Sequence, residues 1–453
     1  MKLSDLAPCF QGVTPASIAT CDADGVPNVT LLSQVHYLDE QHVALSCQFF
    51  NKTRRNVDQN PYASVRLWHP VTLQPYVLAL RFQRAETSGP LFDEMSSRID
   101  AIARVTGMQG IFKLLSADVY EVCSIAEVTG ALSPAGAEPQ RASPNVPRDT
   151  EMRRAELRGL QQLSARMCRA RTLDELFGAL LESVTSLLAA PHAVLLLHDE
   201  ARGRLTAIDS KGYERSGAGA EVQVGEGLIG AVAASRMPLA LSGMHAVRRY
   251  ARAVHVAARE GGAPLEGDIP LPELHDAQAQ LALPLVADDR LVGVLALESR
   301  DPLAFEEWHQ AYLTLLANQA ASAIAVLSDR DDEDEADAPC PESHPLPART
   351  RRFTWFSADE SVFVDGEYLI RNVPARILWK LLSEHADGRC EFTNRELRMD
   401  ASLGLPALRD NLESRLILLR KRLEERCPDV RLVSVKRGRF VLERDCEVVL
   451  ETR

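Results

Sequence analysis

The segment DRDDEDEADAPCPESHPLPART, Asp329 to Thr350, limits what this chain can fold into more than any other stretch. Its acidic run repels itself, its prolines withhold backbone donors, and no apolar residue recurs at a helical or strand period, so it reads as an extended linker. GALSPAGAEPQRASPNVPRDT, Gly130 to Thr150, has the same character with less charge. Two such breaks leave three blocks in 453 residues, each long enough to enclose its own core. The expected organisation is residues 1–129, a linker at 130–150, residues 151–328, an acidic linker at 329–350 and residues 351–453, in a multidomain α+β chain without internal repeats.

Hydrophobic residues at 46% and charged residues at 25% fit globular blocks rather than disorder. The formal net charge of -12 excludes a generally basic surface of the kind that coats nucleic acid or anionic lipid, so any such contact must be local. Nine cysteines without a C-x-x-C pair exclude a zinc knuckle or a thioredoxin-like motif, and no metal site is assigned. Cys47 and Cys123 lie in apolar strand-like runs, which leads us to expect buried, reduced thiols. MKLSDLAPCF lacks the apolar core of a signal peptide, and no stretch offers about 20 uninterrupted apolar residues. A cytoplasmic protein without a membrane partner is the expectation.

In the first block, ASIATC, VTLLSQVHYL, HVALSCQFF and ASVRLW alternate with the turn signals DADG and NP, which predicts a small barrel or sandwich. FDEMSSRIDAIARV has the spacing of a helix packed on it. A basic cluster, NKTRRNVDQNP, follows the strand VALSCQFF. Lys52, Arg54 and Arg55 stand beside the amides and hydroxyl of Gln48, Asn51 and Thr53, a mixture suited to a phosphate more than to a lone carboxylate. A solvated basic turn is the simpler alternative. His36, His42 and His69 are the candidates for a catalytic base, but a lone histidine near a strand end is more often structural, so no catalytic residue is assigned.

The order ATCDADGVPNV, then HVALSCQFFNKTRRNVDQNPYASVRLW, resembles the pyridoxamine-phosphate-oxidase-like split barrel over about the first 125 residues. That family consists of dimeric flavin-binding proteins and includes haem and deazaflavin binders. The resemblance implies an N-terminal split β-barrel whose basic loop holds the phosphate of FMN at a subunit interface. Carried over by position, it implicates Lys52, Thr53 and Arg55, with Gln48, Asn51 and Arg54 as neighbours. Where the family has an Arg-Lys pair this chain has Lys52 and Thr53, which leaves haem or another flavin-like ligand open beside FMN.

In the middle block, Leu157, Leu160, Leu163 and Met167 predict an amphipathic opening helix and Glu306–Leu327 a closing one, with strands at Ala193–Asp199 and a hairpin over Leu281–Ser299. Such terminal helices would form a bundle and a natural dimer seam. EVQVGEGLIGAVAASRMPLAL followed by the hairpin resembles a GAF domain, an α/β sheet with flanking helices, over about Glu151–Leu327. This implies a pocket for a small-molecule ligand. The glycines at 225, 227 and 230 have a folding reason as good as a binding one. MHAVRRYARAVHVAARE is helix-like, and its Arg248, Arg249 and Arg252 would meet an anion or, more simply, solvent.

The third block reads as short strands, three helices and a terminal hairpin around KRGR, for which a winged helix-turn-helix is the simplest architecture. VDGEYLIRNVPARILWKLLSEHADGRCEFTNRELR and the sequence from Leu408 to Glu443 resemble the winged-helix effector domain of response regulators. Leu408, Leu412, Leu416, Leu419 and Leu423 form an inward stripe, leaving the other faces for DNA. Arg415, Arg420, Lys421 and Arg422 would contact phosphates, and Lys436, Arg437 and Arg439 would extend the contact along the wing. Ile417 and Leu418 depart from the family pattern. Two exposed aliphatics there would suit a protein partner instead.

The combined expectation is a homodimeric, one-component sensory transcriptional regulator that couples a flavin-type barrel and a GAF pocket to DNA. A flavin-dependent oxidoreductase with accessory domains, or a protein-interaction scaffold, are the alternatives.

Overall fold

The computed structural model describes residues 1–11, 16–48, 52–70, 72–106, 113–128, 150–187, 192–242, 269–305, 307–329, 349–405, 412–436 and 438–453. Both expected linkers fall almost wholly outside the described residues, as does the arginine-rich stretch from Met244 to Glu260.

The first unit opens with a short helix α1 (Ala7–Gln11) and continues as β1 (Ala16–Cys21), β2 (Pro27–Leu32), β3 (Val35–Asp39), β4 (His42–Cys47), α2 (Lys52–Gln59), β5 (Tyr62–Trp68), β6 (Pro75–Glu86), α3 (Pro90–Thr106) and β7 (Ser116–Glu127). Its seven strands form one antiparallel sheet in the order β2-β1-β5-β6-β7-β4-β3, and β2 also meets β4, curling the sheet. Alternation places Ile18, Val65 and Leu67 inside and their neighbours outside. The β1–β2 turn is pinned by Asp22, whose Oδ1 accepts from the amides of Asp24 at 3.2 Å and Val26 at 2.8 Å, and Gly25 takes the left-handed φ of 79° that the turn requires. α3 lays Met95 and Ile99 against Ala44 and Val119.

The second unit comprises α4 (Thr150–Arg169), α5 (Leu173–Leu187), β8 (His192–Asp199), β9 (Arg204–Lys211), β10 (Glu221–Gln223), α6 (Gly227–Ser235), β11 (Leu239–Ser242), β12 (Ala279–Ala287), β13 (Arg290–Ser299) and α7 (Glu307–Asp329). The antiparallel sheet order is β10-β9-β8-β13-β12-β11. Leu195, Leu283 and Leu297 face α4, α5 and α7 on one side, while Leu196, Val232 and Val294 make a second core under α6 on the other. The hairpin turn uses Asp288 and Asp289 at φ of 49° and 56°, values that short polar residues tolerate. α7 is apolar over Trp308–Ser328, a length sufficient to cross a membrane, but Leu313, Leu316, Ala320 and Ile324 lie in the core of this unit.

The third unit comprises β14 (Thr350–Phe356), β15 (Ser361–Val364), β16 (Glu367–Arg371), α8 (Asn372–Ala386), β17 (Glu391–Thr393), α9 (Asn394–Met399), α10 (Leu412–Arg426), β18 (Val430–Lys436), β19 (Arg439–Arg444) and β20 (Glu447–Thr452). One sheet has the order β16-β15-β14-β20, with β14 and β20 parallel, and a second has β17-β19-β18. Thr393 starts α9 with a capping box: its Oγ1 accepts from the Glu396 amide, and the Glu396 carboxylate accepts from the Thr393 amide, both at 3.2 Å.

Three expectations need correction. From Lys52 the basic cluster is not a turn but the start of α2, whose residues Asn56 and Val57 are buried. Cys123 is exposed, since β7 runs twelve residues and its second half extends beyond the core. Leu157 is exposed near the start of α4, while Leu163 and Met167 of the same helix are buried.

Candidate functional site

The first cluster of interest surrounds α2. Its uncharged groups fasten it to the β1–β2 hairpin. Thr53 Oγ1 accepts from Asn28 Nδ2 at 2.8 Å, Asn56 Nδ2 donates to Thr20 Oγ1 at 3.2 Å, and Gln59 Oε1 accepts from the Ala23 amide at 3.3 Å. Arg54 is held on two sides. Its Nη1 donates to both oxygens of Asp118 at 3.1 Å, its Nε lies 3.1 Å from Asp58, and the guanidinium stands over the Phe82 ring at 5.1 Å. The Asp118 side chain is 7% exposed and also accepts from Ser116 Oγ at 2.6 Å. Burial pushes the Asp118 carboxyl above its ordinary range, and the bonds from Ser116 and Arg54 pull it back; Arg54 Nη1 reaches both oxygens, the geometry of an ion pair.

Arg54 therefore anchors α2 to β7. No ion pair ties Lys52 or Arg55 among the described residues, and Arg55 is exposed. Gln48 Oε1 accepts from Ser33 Oγ at 2.8 Å, but its Nε2 is a buried donor with no acceptor among the described residues. Asn51 lies outside the described residues. The three histidines are engaged locally. His42 Nδ1 is 2.9 Å from Asp39, His36 Nε2 is 3.8 Å from Glu94, and His69 Nδ1 accepts from the Thr72 amide at 3.2 Å.

In the second unit, the Gly225–Gly230 segment is explained by packing. A Cβ on Gly230 would stand 2.3 Å from the Gln223 carbonyl oxygen, so only glycine lets α6 start this close to β10.

The third cluster is the seam between the second and third units. Leu412, Leu416, Leu419 and Leu423 of α10 are buried, and Leu408 lies outside the described residues. Ile417 and Leu418 are also buried, at 1% and 4% exposure, which corrects the expectation that they face outward. The reason is that the outer face of α10 packs on the second unit. Lys421 Nζ lies 2.5 Å from Asp209 of β9, the Ser216 hydroxyl donates to Glu425, and the Leu173 amide donates to Glu413 at 3.4 Å. Gly219 stands opposite Leu418 and Arg422, with a left-handed φ of 90°. On the neighbouring strand, Arg371 Nη2 reaches Glu221 at 2.8 Å, and Arg202 donates to Asn372.

These contacts engage the α10 cations. Arg422 is 3% exposed and donates to the Leu369 carbonyl at 2.9 Å and to Glu425 at 3.0 Å. Arg420 is largely buried near Asp174 and Glu413, and that burial lowers the affinity of its guanidinium for its proton. Arg415 lines a cleft between the units. On the hairpin, Arg439 pairs with Glu391 at 3.1 Å, while the Lys436 side chain and Arg437 lie outside the described residues.

Residues 5–123 match the family model for pyridoxamine 5'-phosphate oxidase, and residues 170–325 match that for the GAF domain. The chain joins a split barrel of the FMN-binding class to a GAF domain. No curated protein matches the chain. Among solved structures, the GAF domain of an Acinetobacter phosphoenolpyruvate-protein phosphotransferase is 20% identical, covering 40% of this chain and 98% of that one, with a TM-score of 0.33. An FMN-binding protein from Syntrophomonas wolfei is 14% identical, covering 28% and 86%, with a TM-score of 0.24. HupZ from Group A Streptococcus is 17% identical, covering 29% and 98%, with a TM-score of 0.24.

Neither family match reaches the C-terminal unit, whose α10 rests on the GAF domain. Sequence reasoning missed the GAF residues Asp209, Ser216 and Glu221, because each is more than 100 residues in the chain from its partner in the third unit. The one local signal was the pair Ile417 and Leu418, aliphatic on a helix face where a solvated helix would carry polar groups.

Proposed function

We propose that the chain is a one-component sensory regulator in which the split barrel carries FMN, the GAF domain relays its state, and the C-terminal unit is a winged helix that binds DNA. The observation that carries this reading is the docking of α10 on the GAF domain through Lys421 and Asp209, which ties a cation-rich helix to a sensory module. An output helix held by its own sensor has a reason to be held. Burial of Ile417 and Leu418 inside the chain also removes the reason to invoke a separate protein partner for them.

The barrel residues fit an FMN phosphate. Lys52 and Arg55 are cations without ion pairs among the described residues, and Gln48 Nε2 is a buried donor lacking an acceptor there. Lys52 and Arg55 would supply charge, Gln48 a directed hydrogen bond, and Arg54 the rigidity that holds α2 in place. Thr53 is committed to Asn28 and keeps α2 against the hairpin. Bound FMN would supply a redox-active ring, which makes redox state or a small molecule the sensed quantity. Haem remains the alternative ligand of the same barrel.

A second copy of the chain is the natural partner. Val29 and Leu31 on the edge strand β2 are 69% and 72% exposed, and Trp308, Leu315 and Val326 are exposed on α7, so the barrel and the GAF helices each present apolar surface for a homodimer. A cytoplasmic location suits this role. The visible spectrum of the purified protein tests the input: flavin bands near the usual positions support it, and a colourless protein from flavin-replete cells opposes it. Retention on a promoter-region duplex that weakens as salt rises tests the output.

A further inference from the structure

We infer that the cleft between the GAF domain and the C-terminal unit binds a small organic anion with an apolar body, and that its occupation holds α10 on the GAF domain. The cleft has a volume of about 450 Å³, within the range of small-molecule sites. Most of its apolar lining, including Leu197, Ile208 and Ile324, belongs to the face of the sheet that carries α7, while Ile269 and Leu291 border the core beneath α6. One wall is apolar through Ile208 of β9 and Ile324 of α7; the opposite wall is Ile370 of β16 and Leu418 of α10.

The charges favour an anion. Glu221 of the lining, whose side chain is 13% exposed, is shared by three guanidiniums, Arg202 at 3.4 Å, Arg204 at 3.2 Å and Arg371 at 2.8 Å. Three guanidiniums around one carboxylate leave an excess of positive charge beside it, which a ligand oxyanion would balance. Arg415 adds a cation from α10. The other acidic groups of the lining, Asp199, Glu200 and Asp288, lie on the two turns at the rim, where Glu200 is already paired with Arg290 at 2.5 Å. The Ser328 hydroxyl, buried and without a partner among the described residues, gives the ligand a further polar contact.

Because the walls belong to two domains, a ligand touching both binds only the docked arrangement and therefore stabilises it. The inference holds whether or not the barrel carries a flavin.

The test uses the full-length protein and 8-anilinonaphthalene-1-sulfonate, which joins an apolar body to an anionic head. Fluorescence titration should give one saturable site, with affinity reduced at least about tenfold in Ala325→Trp, which fills the cleft from α7, and in Arg415→Gln, which removes a cation. Circular dichroism confirms that each variant is folded. Saturating probe should also slow hydrogen exchange along α10. An absent site, a titration unchanged in both variants, or α10 exchange that is unaltered or faster overturns the inference. The readouts report neither flavin content nor DNA binding, so failure here is separable from failure of the proposed function.

Discussion

Lys421 Nζ lies 2.5 Å from Asp209 Oδ1, one charge on the output helix and the other on the GAF sheet. The side chains are 25% and 15% exposed, so water screens the pair less than it would a fully solvated one. Asp209→Asn keeps the shape and removes the charge. It should weaken docking by about 1 kcal/mol and raise the opening-limited hydrogen exchange of α10 about fivefold.

Gly219 and Gly178 should respond in opposite directions to the same change. At Gly219 a Cβ would meet Ile269 Cδ1 at 2.8 Å and the φ of 90° is left-handed, so Gly219→Ala should cost about 1–2 kcal/mol. Gly178 lies within α5 with open space around its Cβ position, so Gly178→Ala should gain about 0.5–1 kcal/mol. Thermal unfolding of the two variants checks both signs.

Arg54→Met leaves Asp118 buried and unpaired, which should cost about 3–5 kcal/mol. The sign with pH follows from the direction of the Asp118 shift. Burial holds its folded carboxyl above the unfolded value, so the native state keeps a proton that the unfolded chain has lost, and stability falls as pH rises through the folded value. Losing Arg54 raises that value further. Urea unfolding should show the smallest deficit in acid and a growing one towards neutrality, and a deficit independent of pH would contradict it.

Lys52→Ala and Arg55→Ala should leave the barrel folded and empty it of flavin. Each charge-assisted contact to a phosphate is worth about 1.5–3 kcal/mol, so each variant should bind FMN at least about tenfold more weakly, measured from the flavin released per chain. Arg54→Lys, by contrast, should lower stability more than flavin content, because Arg54 faces Asp118.

Periodicity made the elements legible. The stripe Leu412, Leu416, Leu419 and Leu423 is buried as its spacing demands, and Asp288 with Asp289 turns the hairpin where the apolar run is interrupted. What local pattern could not carry was partnership across the chain. Nothing near Arg54 announces Asp118, 64 residues away, so the ion pair that ties this cation to β7 was not legible from the basic cluster. Likewise the polar face of α10 reads as free, since helical spacing defines a face but not what covers it. Ile417 and Leu418 are the discordant residues: both are buried, and Leu418 stands opposite Gly219 of the GAF domain.

The most direct test of the account is fluorescence anisotropy of a promoter-region duplex titrated at several salt concentrations with the intact protein and with Asp209→Lys/Ser216→Glu. These substitutions repel Lys421 and Glu425 from the GAF side and leave the C-terminal unit unaltered. The account predicts that the variant binds at least about tenfold more tightly at low salt, and that its affinity falls steeply as salt rises. Equal affinities, or no binding by either protein at low salt, would contradict it.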